Sequence, residues 1–179
     1  MSYAWYPRPQ YRSILGARDG AASIEFALCA TGFLALLIGT LQVALVFFVQ
    51  NSVQTVAETV ARQVLTGQIP SGMTHEQFRT RACATLPAFL KCGNLYVDVR
   101  KLDSFGEIAP FNAGLSFDAS GRVRDSTQFE LGGAGDIVIL RLLYDWPVGT
   151  APLGLRLSDQ NSASRIIVGT MAFKAEPYA

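Results

Sequence analysis

Few side chains in this chain of 179 residues could carry out chemistry, and they do not cluster. His75 is the only histidine, and an exposed place at the start of a predicted helix is the simplest expectation for it. One histidine, with no cysteine pair at metal-ligand spacing, argues against a zinc centre. Gly132, Gly133 and Gly135 precede a strand, whereas a phosphate loop needs a following helix, so they predict a turn. The sequence therefore predicts no catalytic residue, no metal and no cofactor.

The cysteines divide into one lone residue and one close pair. Cys29 falls inside a long apolar run, whereas Cys83 and Cys92 lie beyond it. In an oxidising compartment the pair is predicted to form a disulfide, leaving Cys29 as a free thiol within the membrane. Closing so short a loop adds roughly 2.5 to 3 kcal/mol to the free energy of unfolding by the chain-entropy relation.

The dominant element is an apolar run with no charged side chain between Glu25 and Glu58. It exceeds the roughly 20 residues that cross a bilayer core of about 30 Å, so it predicts a membrane span. A secretory signal peptide is disfavoured because its apolar core is only about 7 to 15 residues long. Arg8, Arg12 and Arg18 precede the span, which predicts an N-terminus on the inside and an external domain.

The span is predicted to continue as a helix beyond the membrane, from about Ser23 to Thr66. Such a helix is roughly 65 Å long at about 1.5 Å per residue, so half of it projects outward. Apolar residues recur at helical spacing in that half, which predicts a domain packed along it, and a polar row lies on the other side: Gln50, Gln54, Glu58 and Arg62. Four small residues share one face of the span and favour close approach of another helix: Ala27, Thr31, Ala35 and Gly39.

The rest of the chain predicts a small external domain of the α+β class. Thr74 and Gln77 have capping-box spacing, which predicts a short helix from about His75 to Leu90, distorted near Pro87. Residues 103–135 are predicted to be a long surface loop or loose hairpin, with weak strand signals near 115–117 and 128–131. Alternating or continuous apolar patterns predict three strands, at 95–99, 136–146 and 165–174, in a three- to four-stranded antiparallel sheet.

The start of the apolar helix, G-A-A-S-I-E-F at residues 20–26, resembles that of the TadE-like minor pseudopilins of the tight-adherence (Tad, or Flp) pilus system. The cysteine spacing followed by L-Y-V-D-V, and the ending F-K-A-E-P-Y, are similar to the same family. Type II secretion pseudopilins also have glutamate as the fifth residue after processing, so they stay an alternative family. TadF- or TadG-type proteins are closer alternatives. Cys29 departs from the family pattern, and residues 103–135 match nothing in it.

The resemblance implies a prepilin with a pilin-like fold. A prepilin peptidase would cut between Gly20 and Ala21, which makes Glu25 the fifth residue of the mature chain. Glu25 and Phe26 would then serve subunit pairing, with the Glu25 carboxylate meeting the amine of Ala21 on its own or a neighbouring chain. Without the resemblance, Glu25 is an acid at the membrane surface, stabilised by the helix dipole by about 0.3 to 1 kcal/mol.

The implied partners are the prepilin peptidase, other major and minor pilins, the inner-membrane assembly platform and the lipid bilayer. The implied segments are a cytoplasmic leader (1–20), a long helix that is transmembrane in its N-terminal half (21–66) and a periplasmic domain (67–179). The implied location is the cytoplasmic membrane.

Two other classes of function stay open. A membrane-anchored periplasmic binding or sensing module would use the same helix with an uncleaved N-terminus. An anchored enzyme would need a pocket with converging polar groups, and the sequence offers no candidate for one. Nucleic acid is disfavoured as a partner because the formal net charge is only +1.

Overall fold

The computed structural model describes residues 20–70, 72–107, 128–133, 135–148, 157–158 and 164–175. Within these ranges the chain forms a long helix, a short helix and one antiparallel sheet, which confirms the predicted α+β class. The helices are α1 (Ala21–Leu65) and α2 (His75–Ala84), and the strands are β1 (Leu95–Leu102), β2 (Ile137–Pro147) and β3 (Ser164–Lys174). The strand signal at 115–117, the leader before Gly20 and the end of the F-K-A-E-P-Y signature lie outside the described residues.

Helix α1 has two halves with different surroundings. Its 45 residues include a stretch whose mean hydropathy reaches 2.4, and α1 is the one helix of the described residues that is long and apolar enough to cross a membrane. In the outer half, Val53, Ala57 and Val60 are fully buried against the sheet. The predicted packing of a domain along this half is therefore confirmed. The helix ends at Leu65 with Thr66 as its C-cap, and Gly67 follows with a φ of +69°, a conformation that glycine adopts without strain.

Helix α2 starts as predicted but ends earlier. The backbone N–H of Gln77 donates to the Thr74 hydroxyl (3.3 Å), and the N–H of Thr74 donates to the Gln77 side chain (3.0 Å), so the capping box is formed. The predicted extension to Leu90 is wrong, because α2 stops at Ala84. Pro87 lacks a backbone donor and disfavours helical geometry at the residue before it, so the sequence around it ends the helix instead of bending it.

The sheet has the order β1-β2-β3, with both pairs antiparallel. The signal at 128–131 yields an isolated bridge between Phe129 and Val99, so the described part of the sheet has three strands. One face packs on the helices and forms the main core. Its centre consists of fully buried aliphatic and aromatic side chains from all elements: Val53, Val60, Phe78, Val97, Leu140, Leu142 and Ile167.

Helix α1 closes the outer edge of β3 with two glutamine side chains. Gln50 Nε2 donates to the carbonyl of Val168 (2.8 Å). Gln54 accepts from the backbone N–H of Thr170 (3.1 Å) and donates to its carbonyl (3.3 Å). These bonds satisfy backbone groups that an edge strand otherwise leaves open to pairing with another chain. Two residues of the predicted polar row on α1, Gln50 and Gln54, therefore contact β3.

Helix α2 does the same for the outer edge of β1. Arg79 Nε donates to the carbonyl of Leu95 (3.1 Å), and His75 Nε2 lies 3.0 Å from the carbonyl oxygen of Val97. His75 is half-buried, so the expectation of a simply exposed histidine at the helix start is wrong. The sequence placed His75 at the helix start correctly, but its contact with β1 depends on how α2 packs.

The opposite face of the sheet holds a buried ion pair. Arg141 Nη2 lies 2.7 Å from Asp98 Oδ2, and the two side chains are 1% and 0% exposed. Arg100 Nε donates to Asp98 Oδ1 (3.0 Å), as does the backbone N–H of Gln128 (2.9 Å). The alternation of β1 places Asp98 on the face opposite Val97 and Val99, yet its carboxylate is fully buried there, and four hydrogen-bond donors surround it.

Candidate functional site

The candidate site is the start of α1, where the chain passes from Gly20 into the helix. Gly20 is the residue before the first helical position, and its carbonyl accepts the N–H of Ile24 (3.2 Å). No side chain caps this end of the helix, Gly20 and Ala21 are exposed, and the space around the Gly20 Cα is open. The peptide bond that follows Gly20 therefore lies at the helix boundary, and neighbouring side chains of the described residues leave it open.

Glu25 lies on the exposed surface of the second helical turn, since it is the fifth residue of α1. Its carboxylate makes no hydrogen bond or ion pair with any described residue. Phe26 follows with 75% of its surface exposed. Ala21 lies four positions earlier, and side chains four apart in a helix are neighbours on one face. The structure thus puts an acid and the proposed new N-terminus on the same side of α1.

The four small residues of the span differ in exposure. Ala27 and Thr31 are exposed, Ala35 is half-buried and Gly39 is buried. The hydroxyl of Thr31 donates to the carbonyl of Ala27 (2.7 Å), so this polar group is satisfied inside the helix. The N-terminal half of the stripe is therefore exposed in the single chain, and its role in helix packing stays a prediction.

Beyond Glu25, the large exposed side chains of α1 from Phe26 to Phe48 are apolar. This surface suits a lipid environment, because the helix satisfies its own backbone groups and presents hydrocarbon outward. Cys29 is a free cysteine exposed on it. The prediction of a free thiol on the apolar helix is confirmed.

The predicted disulfide joins Cys83 at the end of α2 to Cys92 before β1, with the two Cα atoms 5.3 Å apart. Around it, the backbone N–H of Lys91 donates to the Tyr144 hydroxyl (2.8 Å), and Arg79 Nη2 donates to the carbonyl of Cys92 (3.2 Å). The loop between the cysteines is therefore fixed to both α2 and β2.

The glycine-rich patch forms the predicted turn before β2. Gly132 and Gly135 have φ values of +66° and +85°, and the N–H of Gly133 donates to Asp136 Oδ2 (2.7 Å). This hydrogen bond, followed by the Lys101 ammonium 2.9 Å from Asp136 Oδ1, lowers the pKa of the Asp136 carboxyl. The same carboxylate raises the pKa of Lys101. This pair was not predicted from the sequence. It joins the C-terminal end of β1 to the residue that precedes β2.

Two open grooves border α1. One of about 180 Å³ lies near the membrane half and is lined by Gln42, Leu45, Val46, Trp146, Pro147, Val148 and Leu157. The other, of about 470 Å³, lies at the outer end and is lined by Glu58, Ala61, Arg62, Leu65, Thr66, Met171 and Phe173. In the part of the chain that the structure describes, no three His, Cys, Asp or Glu side chains converge as metal ligands do.

A comparison with known protein families finds a match for most of the long helix. Residues 20–62 match the family model described as TadE-like protein. The match begins at Gly20, includes Glu25 and the whole apolar surface, and ends before the sheet. No curated protein and no solved structure matches the chain. The resemblance predicted from the sequence is confirmed for this segment: residues 20–62 match the TadE-like family.

Proposed function

We propose that this chain is a minor pseudopilin of the Tad pilus, inserted as a precursor and cut between Gly20 and Ala21 by a prepilin peptidase. The main support for the proposal is that the start of the family match coincides with the start of the helix. The TadE-like match begins at Gly20, and the helix begins at Ala21, so the family segment starts at an exposed junction. Cleavage there removes a leader that holds Arg8, Arg12 and Arg18 and leaves a chain that starts with α1.

The proposed topology places residues 1–20 in the cytoplasm, the N-terminal half of α1 in the cytoplasmic membrane and residues 67–179 in the periplasm. Three arginines before the span and no cation between Arg18 and Arg62 support this orientation. The Cys83–Cys92 disulfide also supports it, because disulfides persist in oxidising compartments such as the periplasm.

Glu25 is proposed to set the register between α1 helices as subunits assemble. Placing a carboxylate within a bilayer costs about 2.5 to 3.5 kcal/mol on insertion scales. An amine at about 4 Å returns roughly 4 kcal/mol of gross attraction at an effective dielectric near 20. These energies nearly cancel, so the pairing of Glu25 with the amine of Ala21 specifies a partner more than it adds strength. The exposure of Glu25 and Phe26 in the single chain leaves both available to a neighbouring subunit.

The first prediction tests this role with Glu25→Ala. The variant is expected to insert, to be cleaved and to form the disulfide. It is expected to be absent from the assembled pilus, because the amine of Ala21 then has no carboxylate partner. The measurement is co-purification with other pilins and restoration of pili to a strain that lacks this chain. Glu58→Ala is the matched control, because Glu58 is an exposed acid on the outer half of the same helix.

Assembly by Glu58→Ala and not by Glu25→Ala supports the pairing role. If Glu25→Ala also co-purifies with pilins and restores piliation, Glu25 is only an acid at the membrane surface. Loss of assembly by both variants would equally contradict a specific role for Glu25.

A further inference from the structure

The exposed surface of α1 changes from apolar to polar within about one helical turn. Phe47 and Phe48 are the last large apolar side chains on the exposed side, and they are 65% and 57% exposed. From Asn51 outward the exposed side chains are polar: Asn51, Thr55, Glu58, Thr59 and Arg62. This change marks the level at which lipid gives way to water, because an apolar helix surface favours lipid and a polar one favours water.

The helical rise places this level in the headgroup region. From Glu25 to Phe48 the helix rises by about 35 Å at about 1.5 Å per residue. That rise exceeds the hydrocarbon core of about 30 Å but not the full bilayer of about 40 to 45 Å. When Glu25 lies at the inner boundary of the core, Phe48 lies among the outer headgroups.

The external domain places an aromatic ring and a cation at this same level. The ring of Phe89 stacks on that of Phe48, with centroids 5.4 Å apart, and Phe89 is 47% exposed. Lys91 is exposed two residues further along the same loop. The Cys83–Cys92 disulfide closes this loop, so Phe89 is held beside α1 and Lys91 lies two residues away from it.

A second aromatic residue of the domain lies beside a part of α1 that is closer to the N-terminal end than Phe48 is. Trp146, near the end of β2, lines the smaller groove together with Gln42 and Val46. Tryptophan rings favour the boundary between lipid and water, where one end is apolar and the other hydrated. Phe89, Lys91 and Trp146 are called the membrane-facing rim below.

We propose that the external domain rests on the lipid headgroups through the membrane-facing rim. Phe89 and Trp146 lie at the boundary of headgroups and acyl chains, and Lys91 binds lipid phosphate, as lysines at membrane surfaces do. Lipid is the occupant because the exposed ring of Phe89 continues the apolar surface of α1 through Phe48 without a polar gap. The proposal requires α1 to span a bilayer, but it requires neither cleavage after Gly20 nor pilus assembly.

The test is quenching of single tryptophans by brominated lipids, with the full-length chain in phosphatidylcholine and phosphatidylglycerol vesicles. The native tryptophans are removed by Trp5→Phe and Trp146→Phe, and one is introduced by Phe89→Trp. Phe33→Trp in the span is the positive control. Phe105→Trp is the matched negative control, because Phe105 is 53% exposed and follows the end of β1 that is remote from Trp146.

The tryptophan of Phe89→Trp is expected to lose about half of its emission, since an interfacial ring lies about 5 to 10 Å into the headgroup and acyl boundary. The Phe105→Trp emission is expected to stay unchanged. Trp5→Phe alone leaves Trp146 as a native reporter, which is expected to be quenched too and requires no change in the domain.

Quenching of Phe33→Trp without quenching of Phe89→Trp and Trp146 overturns the proposal while leaving the membrane span intact. Blue-shifted, unquenched emission from Phe89→Trp also overturns it, because a second protein chain then covers the patch. Equal quenching of Phe89→Trp and Phe105→Trp overturns it as well, since the domain then meets the membrane through a different surface.

Discussion

Asp98 is the residue on which the far face of the sheet depends. Its fully buried carboxylate accepts hydrogen bonds from Arg141, Arg100 and the backbone of Gln128. A buried ion pair adds little net stability compared with an apolar pair of similar volume, but the loss of one partner leaves a buried charge without compensation. The pair as a whole therefore adds little net stability, whereas removal of Asp98 alone is expected to destabilise the domain.

The second prediction is that Asp98→Ala lowers the free energy of unfolding by about 3 to 5 kcal/mol, the cost of leaving a buried guanidinium without its carboxylate. The measurement is chemical denaturation of the full chain in detergent, followed by near-ultraviolet circular dichroism. The double variant Asp98→Leu with Arg141→Leu is the control, and much of the loss is expected to be recovered in it. A single variant as stable as the native chain would show that the pair is dispensable.

The pairing of Asp98 with Arg141 could not be read from the sequence. Alternation in L-Y-V-D-V-R puts Asp98 on the face opposite Val97 and Val99 but does not show that its carboxylate is buried, and Arg141 stands inside a run that is otherwise apolar. The two side chains meet because the β1-β2 register sets these residues opposite each other. Register across such a distance in the chain depends on the whole sheet, whereas the Cys83–Cys92 bond is local and was predicted.

Among the elements, the contact between α1 and β3 organises the folded domain. Gly169 is the point of closest approach: a Cβ atom added there would lie 2.9 Å from the carbonyl oxygen of Val53. Gln50 and Gln54 bond to β3 on either side of this point. The short approach and the two glutamine contacts hold the edge strand against the helix.

The third prediction is that Gly169→Ala separates α1 from β3 and lowers the free energy of unfolding by about 1 to 3 kcal/mol, because helix backbone cannot yield as a side-chain end can. Hydrogen exchange at the amide of Thr170 is expected to accelerate, since that amide donates to Gln54. Gly93→Ala is the matched control, because nothing lies within 4 Å of a Cβ at Gly93. Unchanged exchange at Thr170 in Gly169→Ala would contradict this account of the contact.

The elements themselves were largely predictable, because each has a local signal. Charge-free length predicts α1, the capping box predicts the start of α2, and apolar runs predict β2 and β3. Tertiary geometry decides the rest. Gln50 and Gln54 were predicted to belong to a polar helix face, and only the position of β3 turns them into edge contacts. Pro87 correctly indicated a break in helical geometry, but it did not show that α2 ends before reaching it.

Across the whole molecule, α1 divides into an exposed apolar half and a half that is buried against the sheet. The proposed membrane-facing rim lies where these halves meet. The TadE-like match covers residues 20–62 and not the sheet, so it supports the proposals about the helix and not those about the domain. The domain itself is characterised by its closed sheet edges.

Processing after Gly20 is tested by the intact mass of the mature chain, purified without reductant from its own cells. We expect a chain that begins at Ala21 and carries the Cys83–Cys92 disulfide, and the fourth prediction is that Gly20→Arg accumulates as uncut precursor. A native mass that corresponds to a chain beginning at Met1 or Ser2 would contradict processing after Gly20, and would favour an anchored binding or sensing module with an uncleaved N-terminus.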